Sequence, residues 1–149
     1  MKNCYGVWES GYTSTEADPR GIEADGNLDG IYPDHLRQSD FVVENMTIVN
    51  NAANTTDNVD RMQDVIKIRR GAKATITNAL VKGSGGTIDL IDMNDNKGTG
   101  NAASSISITH TLNFKNKLNG TLNTFTEPTT NTGADASLFT WSGYNFSSL

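Results

Sequence analysis

The sequence predicts an all-β chain wound as a solenoid of about four stacked coils, and three observations carry that prediction. Apolar residues come in short strand-forming bursts, many alternating with period two. The bursts recur at a nearly constant spacing. Asn, Thr, Ser and Gly supply 60 of the 149 residues, a composition of turns and strands rather than helices. A chain of this length accommodates one core, so residues 1–149 are read as a single domain.

Taken in order, the bursts fall into two alternating strand families. The first contains the triplets Met1-Lys2-Asn3, Val43-Glu44-Asn45, Ile76-Thr77-Asn78, Ile108-Thr109-His110 and Phe139-Thr140-Trp141. Their last residues lie 42, 33, 32 and 31 positions apart, which fits one unit with an insertion in its first copy. The second family falls between them. It aligns Ile22-Glu23-Ala24, Ile66-Lys67-Ile68 and Ile88-Asp89-Leu90, with Leu118 to Leu122 as a weaker member. One such unit has no core until the next stacks on it. Asn45 and Asn78, at equivalent corners, are expected to turn inward and form a ladder of amides, each donating to its neighbour. The stretches from about Asn50 to Gln63 and Asn94 to Ser104 read as projecting loops, and Asn113 to Ala136 carries the least pattern.

Charge and residue counts remove whole classes of function. Net charge is -5, so nucleic acid is not an expected partner. No apolar run reaches the roughly 18 residues of a membrane span, and Met1 to Cys4 does not start a signal peptide. A single cysteine, Cys4, excludes a disulfide framework, and His35 and His110 are too few for a histidine-rich metal centre. Neither histidine has a nucleophile-elbow context, and Gly83-Ser84-Gly85-Gly86 lacks the Lys and Ser/Thr of a phosphate loop. Four sequons, beginning at Asn45, Asn54, Asn119 and Asn145, are what an Asn- and Thr-rich chain produces by chance.

The runs Phe41-Val42-Val43-Glu44-Asn45-Met46-Thr47-Ile48-Val49 and Ala74-Thr75-Ile76-Thr77-Asn78-Ala79-Leu80-Val81 resemble the coils of right-handed parallel β-helix proteins of the pectate-lyase-like superfamily. The resemblance spans nearly the whole chain. It implies a right-handed parallel β-helix, and it implies the C-terminal portion of a bacterial secreted or cell-surface protein, with 138–149 as a terminal coil or cap. The first coil reads as uncapped, which points to upstream coils of a larger protein or to end-to-end self-association. Activity does not follow from this fold, because the superfamily includes lyases, hydrolases, adhesins and phage fibres.

The leading expectation is therefore a non-catalytic extracellular module, structural or glycan-binding, with a polysaccharide or cell-surface glycan as partner. Trp8, Tyr12 and Tyr32, with Tyr5, supply aromatic faces for stacking on sugar rings. The alternative is a fragment of a calcium-dependent polysaccharide lyase, whose relatives hold calcium against an acidic sugar and use Lys or Arg to take a proton. On that reading Lys67 and Arg69 are the catalytic candidates, beside Asp25 and Arg70. Glu23, Lys67 and Asp89 are then expected to stack, which equally describes a charge ladder that only stabilises pairing. Calcium is the cofactor that Asp25-Gly26-Asn27-Leu28-Asp29-Gly30 admits, with Asp25, Asn27 and Asp29 as ligands, although Leu36 stands where a calcium-loop Glu would close the site. The same residues make ordinary Asx turns, and Asp92 to Gly98 repeats the pattern more loosely.

Overall fold

A computed structural model describes residues 1–11, 15–27, 38–52, 61–146 and 149. Among the described residues, nine strands alternate between two parallel sheets. The first sheet contains β1 (Lys2–Trp8), β3 (Asp40–Asn50), β5 (Lys73–Lys82), β7 (Ser105–His110) and β9 (Thr124–Thr126), in that spatial order. The second contains β2 (Arg20–Asp25), β4 (Met62–Arg69), β6 (Gly86–Asp92) and β8 (Asn113–Asn119). Each coil spends one strand in each sheet, so β1 to β8 make four coils and β9 opens a fifth. The expected solenoid is thus present as a parallel β-helix. Its core lies between the sheets, where Val43, Ile48, Ile66, Ile68, Ile76, Leu90, Ile91, Ile106 and Ile108 pack as one buried cluster.

Register follows from stacking like on like. Ile22, Ile66, Ile91 and Leu118 occupy one row across the second sheet. In the first sheet Lys2 pairs with Glu44 and Glu44 with Thr77, so the triplets ending at Asn3, Asn45 and Asn78 do align. All three asparagines adopt positive φ, 55°, 56° and 51°. This left-handed bend is one that Asn tolerates better than most L-residues. Asn45 Nδ2 donates to Asn3 Oδ1 at 3.1 Å and Asn78 Nδ2 to Asn45 Oδ1 at 2.9 Å. The ladder therefore exists, but its amides are half-buried and line a groove of about 440 Å³ instead of turning into the apolar core.

Two expectations about register are corrected. His110 pairs with Val81, three residues beyond Asn78, because two residues separate Ile76 from Ala79 while only Ser107 separates Ile106 from Ile108. The left-handed residue is omitted from β7, and the ladder stops at Asn78. In the second sheet Lys67 stands beside Asp92, not Asp89, and Asp89 stands beside Asp64. The β6 run Ile88-Asp89-Leu90-Ile91-Asp92-Met93 repeats apolar-Asp-apolar every three residues, so triplet matching alone fits either register. Asn94 to Ser104, expected to project, folds back on the β4–β5 turn: Arg70 N–H donates to Gly98 O, Gly71 N–H to Thr99 O and Asn101 N–H to Ala72 O.

The chain beyond β9 is a strap, not a further coil. Asn131 Nδ2 donates to Ala79 O at 3.2 Å, the N–H of Thr132 to Asn78 Oδ1 at 2.8 Å, and the N–H of Ala134 to Thr47 Oγ1 at 2.9 Å. It thus crosses the first sheet from its last strands back toward its first. Gly133 is required there, since its φ is 71° and a Cβ would lie 2.2 Å from Thr47 Oγ1. A 3₁₀ turn, Ala136–Ser142, follows, and Phe139 and Phe146 pack edge-on against Tyr5 of β1, with centroids at 5.9 and 4.6 Å. Trp141, aligned by sequence with the ladder residues, sits in this turn and is 83% exposed. Residues 138–146 therefore lie against the first coil.

Two outcomes are expected. Replacing Asn45 by Ala removes both ladder bonds and strains the bend, lowering stability in urea unfolding by about 2–3 kcal/mol, with Asn45→Gly less damaging because glycine accepts positive φ. At the root of the strap, hydrogen bonds from Lys117 and then His110 hold the Glu127 carboxyl below its ordinary value of 4.5. The unfolded chain then binds more protons than the native one, so this contribution is present above pH 4.5 and lost as pH falls through the lowered value. Amide exchange at Asn131 to Ala134, corrected for intrinsic rate, should accelerate on acidification in the parent and respond less in Glu127→Gln.

Candidate functional site

Stacking in register forces the polar residues of the second sheet into rows, and among the described residues these rows hold the buried charges Asp64, Lys67, Asp89 and Asp92. Glu23, Lys67, Asp92 and Asn119 form one row; Arg20, Asp64, Asp89 and Asn116 form another. Lys67 is buried and its ammonium pairs with the Asp92 carboxylate, whose other oxygen accepts the Asn94 N–H at 2.8 Å. Arg20 Nε donates to Asp64 Oδ2 at 3.0 Å, and its other nitrogens reach Asp18 and Glu23. Asn116 Nδ2 donates to Asp89 Oδ1 at 2.7 Å. One carboxylate oxygen from each of Asp64, Asp89 and Asp92 lies within 4.8 Å of the others. Burial pushes the Asp64 carboxyl above the usual aspartate range, against the opposing pull of the Arg20 hydrogen bond.

Arg69 is held on several sides, by Glu23, by Asp25 (Nε to Oδ1, 2.5 Å) and by Asp95 (Nη1 to Oδ2, 3.3 Å). The Asp25 bond strengthens its hold on its proton. Asp25 in turn gives its second oxygen to Arg69 and Arg70, at 3.3 and 3.4 Å. Asn27 is buried, and its backbone N–H donates to Arg70 O. Asp29, Tyr12 and Tyr32 lie outside the described residues. Burial alone would raise the Asp95 carboxyl, but the Lys97 N–H, Arg70 and Arg69 together hold it below the aspartate range. Lys67 and Arg69 are therefore both carboxylate-bound, and Lys67 does not contact Asp25 among the described ion pairs.

Sequence reasoning missed the Asp64–Asp89–Asp92 group. Strict alternation sends residues 64 and 67, or 89 and 92, to opposite faces, whereas here their charged ends converge. The available signal was the three-residue spacing Asp64/Lys67 and Asp89/Asp92, repeated on neighbouring coils.

Trp8 is placed differently. It ends β1, half-buried against the core, and with Val7, Glu9 and Tyr144 it lines a groove of about 500 Å³. Tyr144 arrives from the strap and its hydroxyl donates to Glu9 Oε1 at 2.5 Å, which raises the tyrosine's pKa. The groove has an indole, a phenol and a carboxylate, the side chains that stack on and hydrogen-bond sugars.

The chain belongs to the pectate-lyase-like beta helix domain family, whose model matches residues 3–144. No curated protein and no solved structure matches it. No helix is long and apolar enough to cross a membrane among the described residues.

Replacing Lys67 by Met should strand the buried Asp92 carboxylate and lower stability by about 3–5 kcal/mol. Adding Asp92→Leu in the same protein should recover most of the loss, as read by denaturant unfolding.

Proposed function

We propose that this chain is a non-catalytic β-helix module that binds a glycan in the groove between the end of β1 and the strap. The observation that carries the reading is the joint placement of Trp8, Glu9 and Tyr144 around one open volume. Aromatic faces take the C–H face of a sugar ring, and the carboxylate accepts from its hydroxyls. With a net charge of -5 and Glu9 in the groove, a neutral polysaccharide suits the site better than an acidic one. The module would work outside the cell, where such polymers are. Lys67 and Arg69 support the same reading, since a base for proton abstraction has to be free and both are engaged by carboxylates.

Affinity electrophoresis against neutral and uronate polysaccharides tests this. Retardation by a neutral polymer is expected, weakened about tenfold or more in Trp8→Ala and in Tyr144→Ala with far-ultraviolet dichroism unchanged. Binding unaffected by both substitutions would overturn the site. Release of an ultraviolet-absorbing unsaturated sugar from polyuronate would overturn the non-catalytic reading.

A further inference from the structure

The buried carboxylates of the second sheet carry more negative charge than their neighbours neutralise. Asp64 is 0% exposed, Asp89 5% and Asp92 6%. Lys67 serves Asp92, while Arg20 divides its guanidinium among Asp64, Asp18 and Glu23. Among the described residues, three buried carboxylates thus face one whole cation and a share of a second. Buried charge left unmatched is strongly unfavourable unless a counter-charge reaches it. A separate observation marks where that counter-charge belongs. Asp64 accepts from Arg20 through Oδ2, but its Oδ1 is buried without a hydrogen-bond partner among the described residues.

We infer that Asp64, Asp89 and Asp92 bind a calcium ion between the second and third coils, with Asp64 Oδ1 as a ligand. Hard divalent cations take carboxylate oxygens, and burial favours calcium, because magnesium gives up its waters reluctantly and demands octahedral geometry. The three oxygens here, within 4.8 Å of one another, are close enough to share one ion. This site is distinct from the set Asp25, Asn27 and Asp29 that the sequence offers. It lies between β4 and β6, two strands of the rigid stack, so its ion serves stability and is independent of glycan binding at Trp8.

The test is calorimetric titration of the chelator-stripped chain with calcium alone, together with thermal melting at neutral pH. One ion per chain is expected, with a melting temperature raised by about 5–10 °C at 100-fold excess over the dissociation constant. Asp64→Asn and Asp89→Asn should each abolish the shift, Asp25→Ala should keep it, and magnesium should produce a much smaller one. Absence of calcium binding by the parent chain overturns the inference whether or not the variants fold, and a higher melting point of Asp64→Asn would then assign the excess charge to a proton. A calcium shift retained in Asp64→Asn and Asp89→Asn but lost in Asp25→Ala overturns it in favour of the Asp25, Asn27 and Asp29 set.

Discussion

In-register stacking is the constraint on which everything else in this molecule rests. A single coil places only a few apolar side chains between its two strands, and these become buried when the coils above and below cover them. The row Ile22, Ile66, Ile91 and Leu118 shows the arrangement: the inner residues, Ile66 and Ile91, are fully buried, while the outer two are only partly so. The same rule acts on polar positions. Once the apolar row is aligned, Glu23, Lys67 and Asp92 are brought side by side, as are Arg20, Asp64 and Asp89. Neighbouring coils must then carry complementary charges or suffer buried repulsion. Lys67 with Asp92 and Arg20 with Asp64 satisfy that demand; the pairing of Asp64 with Asp89 does not, and the calcium proposal addresses that excess.

The strap imposes a second kind of order. Stacking contacts link coils that are neighbours, whereas the segment after β9 connects β7, β5, β3 and β1 in turn through Ser107, Asn78, Thr47 and Tyr5. It uses the end of the asparagine ladder as its anchor. Asn78, the last ladder amide, has no asparagine beyond it in β7, and its Oδ1 accepts instead from the backbone of Thr132 and Gly133. The strap also brings Tyr144 to Glu9, so the proposed glycan groove is assembled from residues 135 positions apart in the chain. Its shape therefore depends on the strap being docked.

Sequence alone determined the strand periodicity, the two alternating families and the asparagine corners at 3, 45 and 78, because side-chain alternation and tolerance of positive φ are local properties of a few residues. It also determined the absence of a long apolar helix and of a cysteine framework. The tertiary structure decided the rest. The choice between Asp89 and Asp92 as the neighbour of Lys67 belongs to the summed pairing of whole strands, since a threefold apolar-Asp-apolar repeat satisfies both locally. The loss of one residue in β7 removed His110 from the ladder, a change visible only against Ala79 and Ile76 of the neighbouring strand. The course of 127–146 was not legible because that segment has little apolar periodicity, and backbone hydrogen bonds to Asn78 and Thr47 fix it in place. Trp8 was legible as an aromatic, but its partner Tyr144 was not, since only the folded chain brings the two ends together.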